Sequence, residues 1–182
     1  MSKDPVADLI GQASAAAHQG RAMLDGILAR RGGQAATVRG GPMPGILGRW
    51  QKRLSGGLRS RDVRSCPHLS PANPQPAHWL VWSPGLLRCP ACTMRECAAI
   101  HGTPADDVCD GCGNEFPVLH IIAGELPATV VPSLGLGYGP VIIRGGLCAG
   151  CTRRDRIECA ASPHIVSTER REPVDCPPSE AG

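Results

Sequence analysis

Aromatic side chains are scarce. Of 182 residues only Trp50, Trp79, Trp82, Phe116 and Tyr138 carry an aromatic ring. Leu, Ile, Val and Phe together make up about a fifth of the chain, near the level below which chains tend toward disorder. A large aliphatic core is therefore excluded. No apolar run approaches the roughly 20 residues that a membrane span needs. The start, MSKDPVADLIGQ, has no charged segment leading into an apolar one, so it does not read as a secretory signal. H-E-x-x-H, the P-loop and the dinucleotide fingerprint are all missing.

Glycine, proline and cysteine are present in quantity. The 23 glycines and 18 prolines call for many loops and turns, and ten cysteines are left to hold the folded part together. Cysteines can pair or bind metal. In a chain read as lacking an export signal, the compartment is reducing and metal binding is favoured. The expected location is the cytoplasm, or the virion if the chain is phage-encoded. Charge is unevenly placed. Residues 1–65 hold 11 Lys/Arg against 4 Asp/Glu, whereas residues 66–182 hold 8 against 12. The basic part suits an acidic partner: nucleic acid, a membrane surface or an acidic protein.

Five segments follow from pattern. Residues 1–31 read as an N-terminal amphipathic helix, with Val6, Leu9, Ile10, Ala13, Ala17, Leu24, Ile27 and Leu28 at three- and four-residue steps. Asp4 and Pro5 open it, and Gly32 and Gly33 close it. Such a stripe suits docking on a partner or on another copy. Residues 32–65, with eight glycines and scattered arginines, read as a flexible basic linker. Within it, residues 46–54 form a short amphipathic piece around Trp50, able to lie on a membrane surface or in a partner's groove. Residues 66–108 read as a first metal-binding subdomain and 109–159 as a zinc ribbon. Residues 160–182, Pro-rich and polar, read as a disordered tail. Strands are expected at 118–123 and 141–144, with a third at 128–131.

Three C-x-x-C pairs stand out: Cys89/Cys92, Cys109/Cys112 and Cys148/Cys151. Two intervening residues let both thiolates face one point about 2.3 Å from a zinc ion, and the tight turn aims N–H groups at the sulfurs. Gly111 and Gly113 suit the positive φ that such a turn often needs. Cys109, Cys112, Cys148 and Cys151 pair as one tetrahedral zinc site, with 35 residues between the knuckles for a β-hairpin or a three-stranded meander. Cys89 and Cys92 find partners in Cys66 and His68, giving a Cys₃His site, or in Cys66 and Cys97, giving Cys₄. Trp79 and Trp82 lie in the loop this second site closes and are expected to cover it. Cys159 and Cys176 read as spare thiols. His101 shares a helix face with Cys97, while His18, His120 and His164 read as ordinary polar positions.

A catalytic zinc keeps an open position and has His-rich ligands with a nearby base. Thiolates dominate here and close the shell, so the chain is expected not to be an enzyme. C-P-A-C is the spacing of a redox dithiol, but the flanking βαβ pattern is missing.

Cys66-Pro67-His68-Leu69, then Trp79, Trp82 and Cys89 through Cys92, then Cys109-Asp110-Gly111-Cys112-Gly113, then Cys148 and Cys151, resemble the small zinc-ribbon-type proteins of actinobacteria and their phages. The resemblance covers roughly residues 66–154. It implies a metal and a host rather than an activity. Cys66, Cys89, Cys92 and Cys97 are also similar to the four-cysteine site of WhiB-like regulators, which implies a [4Fe–4S] centre at those four residues. That family spaces its last cysteine one residue further and has a Gly-Trp-Gly-Gly-like turn that this chain does not contain.

The fold class expected is a small metal-stabilised α+β: a zinc ribbon plus an N-terminal helix and a linker, with two zinc ions. The leading functional expectation is a non-enzymatic adaptor or assembly protein, structural in a phage setting, that docks through residues 5–31 and the basic arm. The alternative is a nucleic-acid-binding accessory or regulatory protein, with Arg30, Arg31, Arg49, Lys52, Arg53, Arg153 and Arg154 on phosphates. A third reading is the iron–sulfur regulator.

Overall fold

The computed structural model describes residues 45–72, 75–126 and 139–155, with Met43, Leu136, the backbone of Ala35–Arg39 and isolated helical positions at Ala15, His18 and Ala22. Most of the expected 5–31 helix, the 128–131 strand and the 160–182 tail lie outside these residues, as do Cys159 and Cys176.

The elements run β1 (Ala35–Arg39), α1 (Gly45–Ser60), β2 (Arg64–Ser65), β3 (Ala77–Leu80), β4 (Ser83–Arg88), α2 (Pro90–Ile100), a 3-10 turn (Pro104–Asp107), β5 (His120–Leu126), β6 (Val141–Leu147) and α3 (Ala149–Arg154). Small α+β is the class. The strands form one mixed sheet in the order β1-β5-β6-β3-β4-β2. Two antiparallel hairpins, β3–β4 and β5–β6, meet through parallel pairing of β3 with β6. The short edge strands β1 and β2 add in parallel to β5 and β4. The expected subdomains 66–108 and 109–159 therefore share one sheet, because Ala77–Leu80 pair directly with Val141–Arg144.

Strand alternation divides the sheet into two faces. Trp79, Leu87, Ile122, Val141, Ile143 and Leu147 belong to the main core on one face. His78, Ile142 and Arg144 point to the other, and all three are buried. The strands at 118–123 and 141–144 are both present but shifted or extended. β5 begins at His120, and β6 continues through Gly145 and Gly146 to Leu147.

The described residues of the expected 32–65 linker belong to the fold. Ala35–Arg39 is a strand of the sheet, and Gly45–Ser60 is a helix whose buried face is Ile46, Leu47, Trp50 and Leu54. These four recur at one-, three- and four-residue steps, a helical stripe. Trp50 is 5% exposed, so it anchors this chain's own core rather than a membrane or a partner's groove. Glycines in the sheet make room for it. A Cβ on Gly145 would fall 2.5 Å from Trp50 Cη2, and one on Gly124 would fall 2.8 Å from Met43 Sδ. No side chain longer than hydrogen lets α1 lie this close to β5 and β6.

Candidate metal centres

Each hairpin delivers its last strand into a C-x-x-C helix start. β4 ends at Arg88 and Cys89 caps α2; β6 ends at Leu147 and Cys148 caps α3. β4 and β6 run in opposite directions, since β3 is antiparallel to one and parallel to the other. The two knuckles thus sit at opposite ends of the sheet.

The first knuckle is completed by β2. Ser65 pairs with Leu87, which carries Cys66 to the end of β4. There Cys66 donates its N–H to Leu87 O at 2.8 Å, and Cys89 N–H reaches Cys66 Sγ at 3.2 Å. His68 Nδ1 lies 3.3 Å from Cys92 Sγ and 3.8 Å from Cys89 Sγ. The second knuckle is completed by the turn at 109–113. Asp110 clamps it to β6, giving its N–H to Gly146 O at 2.8 Å and accepting Gly146 N–H at 2.7 Å. Cys148 N–H then reaches Cys109 Sγ at 3.2 Å. Gly113 has φ +77, the left-handed value the turn requires. Gly111 serves for a different reason than expected: a Cβ there would fall 2.9 Å from Cys151 Sγ.

Two ligand sets result. The ligand atoms of Cys66, His68, Cys89 and Cys92 lie within 4.8 Å of one another, as do those of Cys109, Cys112, Cys148 and Cys151. A tetrahedral ion with bonds of about 2.3 Å has ligand edges of ~3.8 Å, so both sets fit a single metal ion. Of the two sequence alternatives for the fourth ligand of the first set, His68 is in the cluster. Cys97 is not part of it; it lines a cavity on the far side of α2.

The thiols respond to this crowding. Burial pushes Cys151 well above the ordinary thiol value, and the Cys109 and Cys148 sulfurs push it further. Burial raises Cys89 as well. Burial would raise Cys66 too, but N–H donors, Cys89 foremost, outweigh it and hold that thiol below its usual value. Four thiolates this close need a cation between them, and metal binding displaces the protons.

Donors aimed at the sulfurs recur at equivalent positions. Cys92 N–H points at Cys89 Sγ at 3.5 Å, and Cys151 N–H at Cys148 Sγ at 3.4 Å. Arg95 Nη2 lies 3.3 Å from Cys92 Sγ, and Arg154 Nη2 lies 3.3 Å from Cys151 Sγ. Both threonines after the pairs are buried and bond back to the first turn, Thr93 Oγ1 to Cys89 O at 3.0 Å and Thr152 Oγ1 to Ala149 O at 2.8 Å. The acids that follow tie each helix down: Glu96 to Arg88 at 3.5 Å and Asp155 to Arg49 at 3.4 Å. Cys89-Pro-Ala-Cys-Thr-Met-Arg-Glu and Cys148-Ala-Gly-Cys-Thr-Arg-Arg-Asp are thus one motif used twice, C-x-x-C-T-x-R followed by an acid. Comparing the flanks of the cysteine pairs would have shown it. Counting cysteines alone does not.

The other predicted residues fall as follows. Trp79 is fully buried in the main core, with Nε1 on Pro84 O at 2.8 Å, and Trp82 lines the cavity beyond α2. His101 closes the C-terminus of α2 and pairs with Asp106 at 3.1 Å. Of the candidate phosphate contacts, Arg30 and Arg31 lie outside the described residues. Arg49 and Arg154 are engaged as above, whereas Lys52, Arg53 and Arg153 are exposed. No helix among the described residues is long and apolar enough to cross a membrane. No family model, curated protein or solved structure matches this chain.

Proposed function

We propose that the chain is a non-enzymatic zinc module of the zinc-ribbon type, in which two structural ions staple one sheet and the basic N-terminal part docks on an acidic partner. The observation that carries the zinc assignment is the convergence of seven sulfurs and one imidazole nitrogen into two sets, each within 4.8 Å. Zinc favours tetrahedral sulfur–nitrogen sites of this composition, and four protein ligands leave no open position for substrate or water. The N–H and guanidinium donors around the sulfurs spread the charge that excess thiolate leaves on the ion. A [4Fe–4S] centre fits less well, because a cluster holds its thiolates further apart than one ion does and Cys97 stands outside the first set.

Docking as an adaptor or assembly protein through residues 5–31 is the leading form of the partner reading. One observation favours the nucleic-acid form: Lys52, Arg53, Arg59, Arg61 and Arg64 are all exposed along α1 and the turn after it, with Asp62 the only acid between 45 and 65. The test is binding of the full chain to duplex and single-stranded DNA across salt, beside its oligomeric state. Affinity that falls steeply with salt, and weakens with Lys52→Gln and Arg53→Gln, supports the nucleic-acid form. Self-association lost when residues 1–31 are removed, with no DNA binding, supports the assembly form.

A further inference from the structure

The outward face of α1 carries charge that the fold does not balance. Lys52, Arg53 and Arg59 are exposed along it, and Arg61 and Arg64 follow in the turn and strand after it. Arg49 is tied to Asp155, but among the described residues no ion pair holds Lys52, Arg59, Arg61 or Arg64. Arg53 also stands near the Asp110 carboxylate. The one acid of the segment, Asp62, is occupied locally and accepts Ser60 Oγ–H at 2.6 Å.

Two positions on this surface go against local backbone preference. Glycine inside a helix lowers stability relative to alanine, so its presence calls for a reason. Packing supplies one for Gly48 and Gly57: a Cβ on the first would run into Met43 O, and one on the second would fall 2.5 Å from Val63 Cγ2. A Cβ on Gly56 meets nothing within 4 Å. The neighbours of Gly56 on the helix surface, three and four residues away, are Lys52, Arg53, Arg59 and Ser60. Position 61 shows the converse. Val63 N–H bonds Gly57 O at 3.0 Å where α1 ends, and Arg61 makes that turn with φ +63. Glycine is the usual residue at such a post, since an L side chain is strained at positive φ. A bare notch thus stands where a side chain would stabilise, and a cation stands where a bare residue would. A cationic helix flank that is open at its middle fits the close approach of phosphates.

The surface also selects among nucleic acids. No described aromatic ring is exposed: Trp50 and Trp79 are buried, and Trp82 and Phe116 are half-buried. Single strands are held in large part by bases stacked on such rings, so a rigid row of cations suits the fixed phosphates of a duplex better. Ser60, the hydroxyl among the neighbours of the notch, is already bonded to Gly56 O and Asp62. That leaves only cations there, without a neutral group for the 2′-hydroxyls through which RNA duplexes are recognised.

We infer that the outward face of α1 and the turn after it dock on the sugar–phosphate backbone of duplex DNA, with one phosphate over Gly56 between Lys52, Arg53 and Arg59 and others on Arg61 and Arg64. This rests on the nucleic-acid form of the proposed function and adds the surface and the kind of nucleic acid.

The probe is an end-labelled DNA duplex of about 20 base pairs and arbitrary sequence, titrated with the zinc-loaded full chain from about 50 to 200 mM salt. One of its single strands and the matching RNA duplex are run beside it. The DNA duplex should bind roughly tenfold tighter than the single strand and more tightly than the RNA duplex, with log K falling against log salt at a slope of about −4. Arg61→Gly removes a cation and relieves the backbone, and it should weaken binding about fivefold and flatten the salt slope by about one. Gly56→Leu changes no charge and favours the helix, so a loss of about fivefold there marks close contact rather than diffuse attraction. Helix content and zinc content should match the parent in both variants, and the comparison of the three nucleic acids decides without either. Parent-like affinity in either folded variant, or a single strand or RNA duplex bound as tightly as the DNA duplex, would overturn the inference and leave the nucleic-acid form standing. No salt-dependent binding to any of the three would remove both.

Discussion

Arg95 and Arg154 hold equivalent posts, each with a guanidinium nitrogen 3.3 Å from the second sulfur of a C-x-x-C pair. Removing such an outer donor typically costs 10- to 100-fold in metal affinity. Arg154→Met should therefore weaken zinc by about that factor in competition with a chromophoric chelator, and unchanged affinity would show that the contact is incidental. His78 offers a second test. Burial, helped by the Arg144 charge, lowers its pKa to about 3, and neither ring nitrogen has a hydrogen-bond partner among the described residues. The unfolded chain takes up a proton near pH 6.5 that the folded chain refuses, so stability is lost as pH falls through that value. Between pH 7.5 and 5.5 the loss from this group is about 1.4 kcal/mol. His78→Leu should remove that loss, so denaturation of the variant and the parent should diverge by this amount on acidification. Parallel pH profiles would contradict the neutral, buried assignment. Position 78 drew no attention in the sequence because alternation in His78-Trp79-Leu80 does not say which face is covered; here both are.

At the scale of elements, α1 and the glycines beneath it are the main departure from the pattern reading. Eight glycines in 32–65 argue for a linker, yet Ile46, Leu47, Trp50 and Leu54 form a buried stripe within it. Composition dominated that reading because glycine lowers helix propensity. Packing overrode propensity, since Trp50 packs over Gly145, and Met43 and Leu47 over Gly124, at positions far along the chain that no local window contains. Trp50→Ala should cost about 3–5 kcal/mol in denaturant unfolding of the zinc-loaded chain. Gly145→Val should be as damaging, because its side chain would enter the space of the Trp50 ring. If either change is nearly silent, α1 is not part of the core. The ligand residues were more legible than α1, because C-x-x-C spacing is a local constraint imposed by one ion. The choice of His68 over Cys97 was not, because it depends on α2 carrying Cys97 around to the face away from Cys92.

For the whole molecule, the pairing of β3 with β6 makes the two metal sites dependent on one sheet. Sequence proximity suggested two subdomains; the sheet order joins them, and parallel pairing between distant strands leaves little trace in a single chain. Cys112→Ser should therefore release more than its own ion. Protease sensitivity is expected to rise across residues 66–126 as well as around the second knuckle, read by mass spectrometry of the fragments. Sensitivity confined to 109–113 and 148–155 would mean that the two ends fold independently.

The most direct measurement is the metal content of protein purified without oxygen, combined with X-ray absorption at the edge of the metal found. Two zinc ions per chain are expected, with an average shell of seven sulfur and one nitrogen ligands shared between them. Iron with visible absorption, or a metal-free chain that keeps its protease resistance, would contradict it.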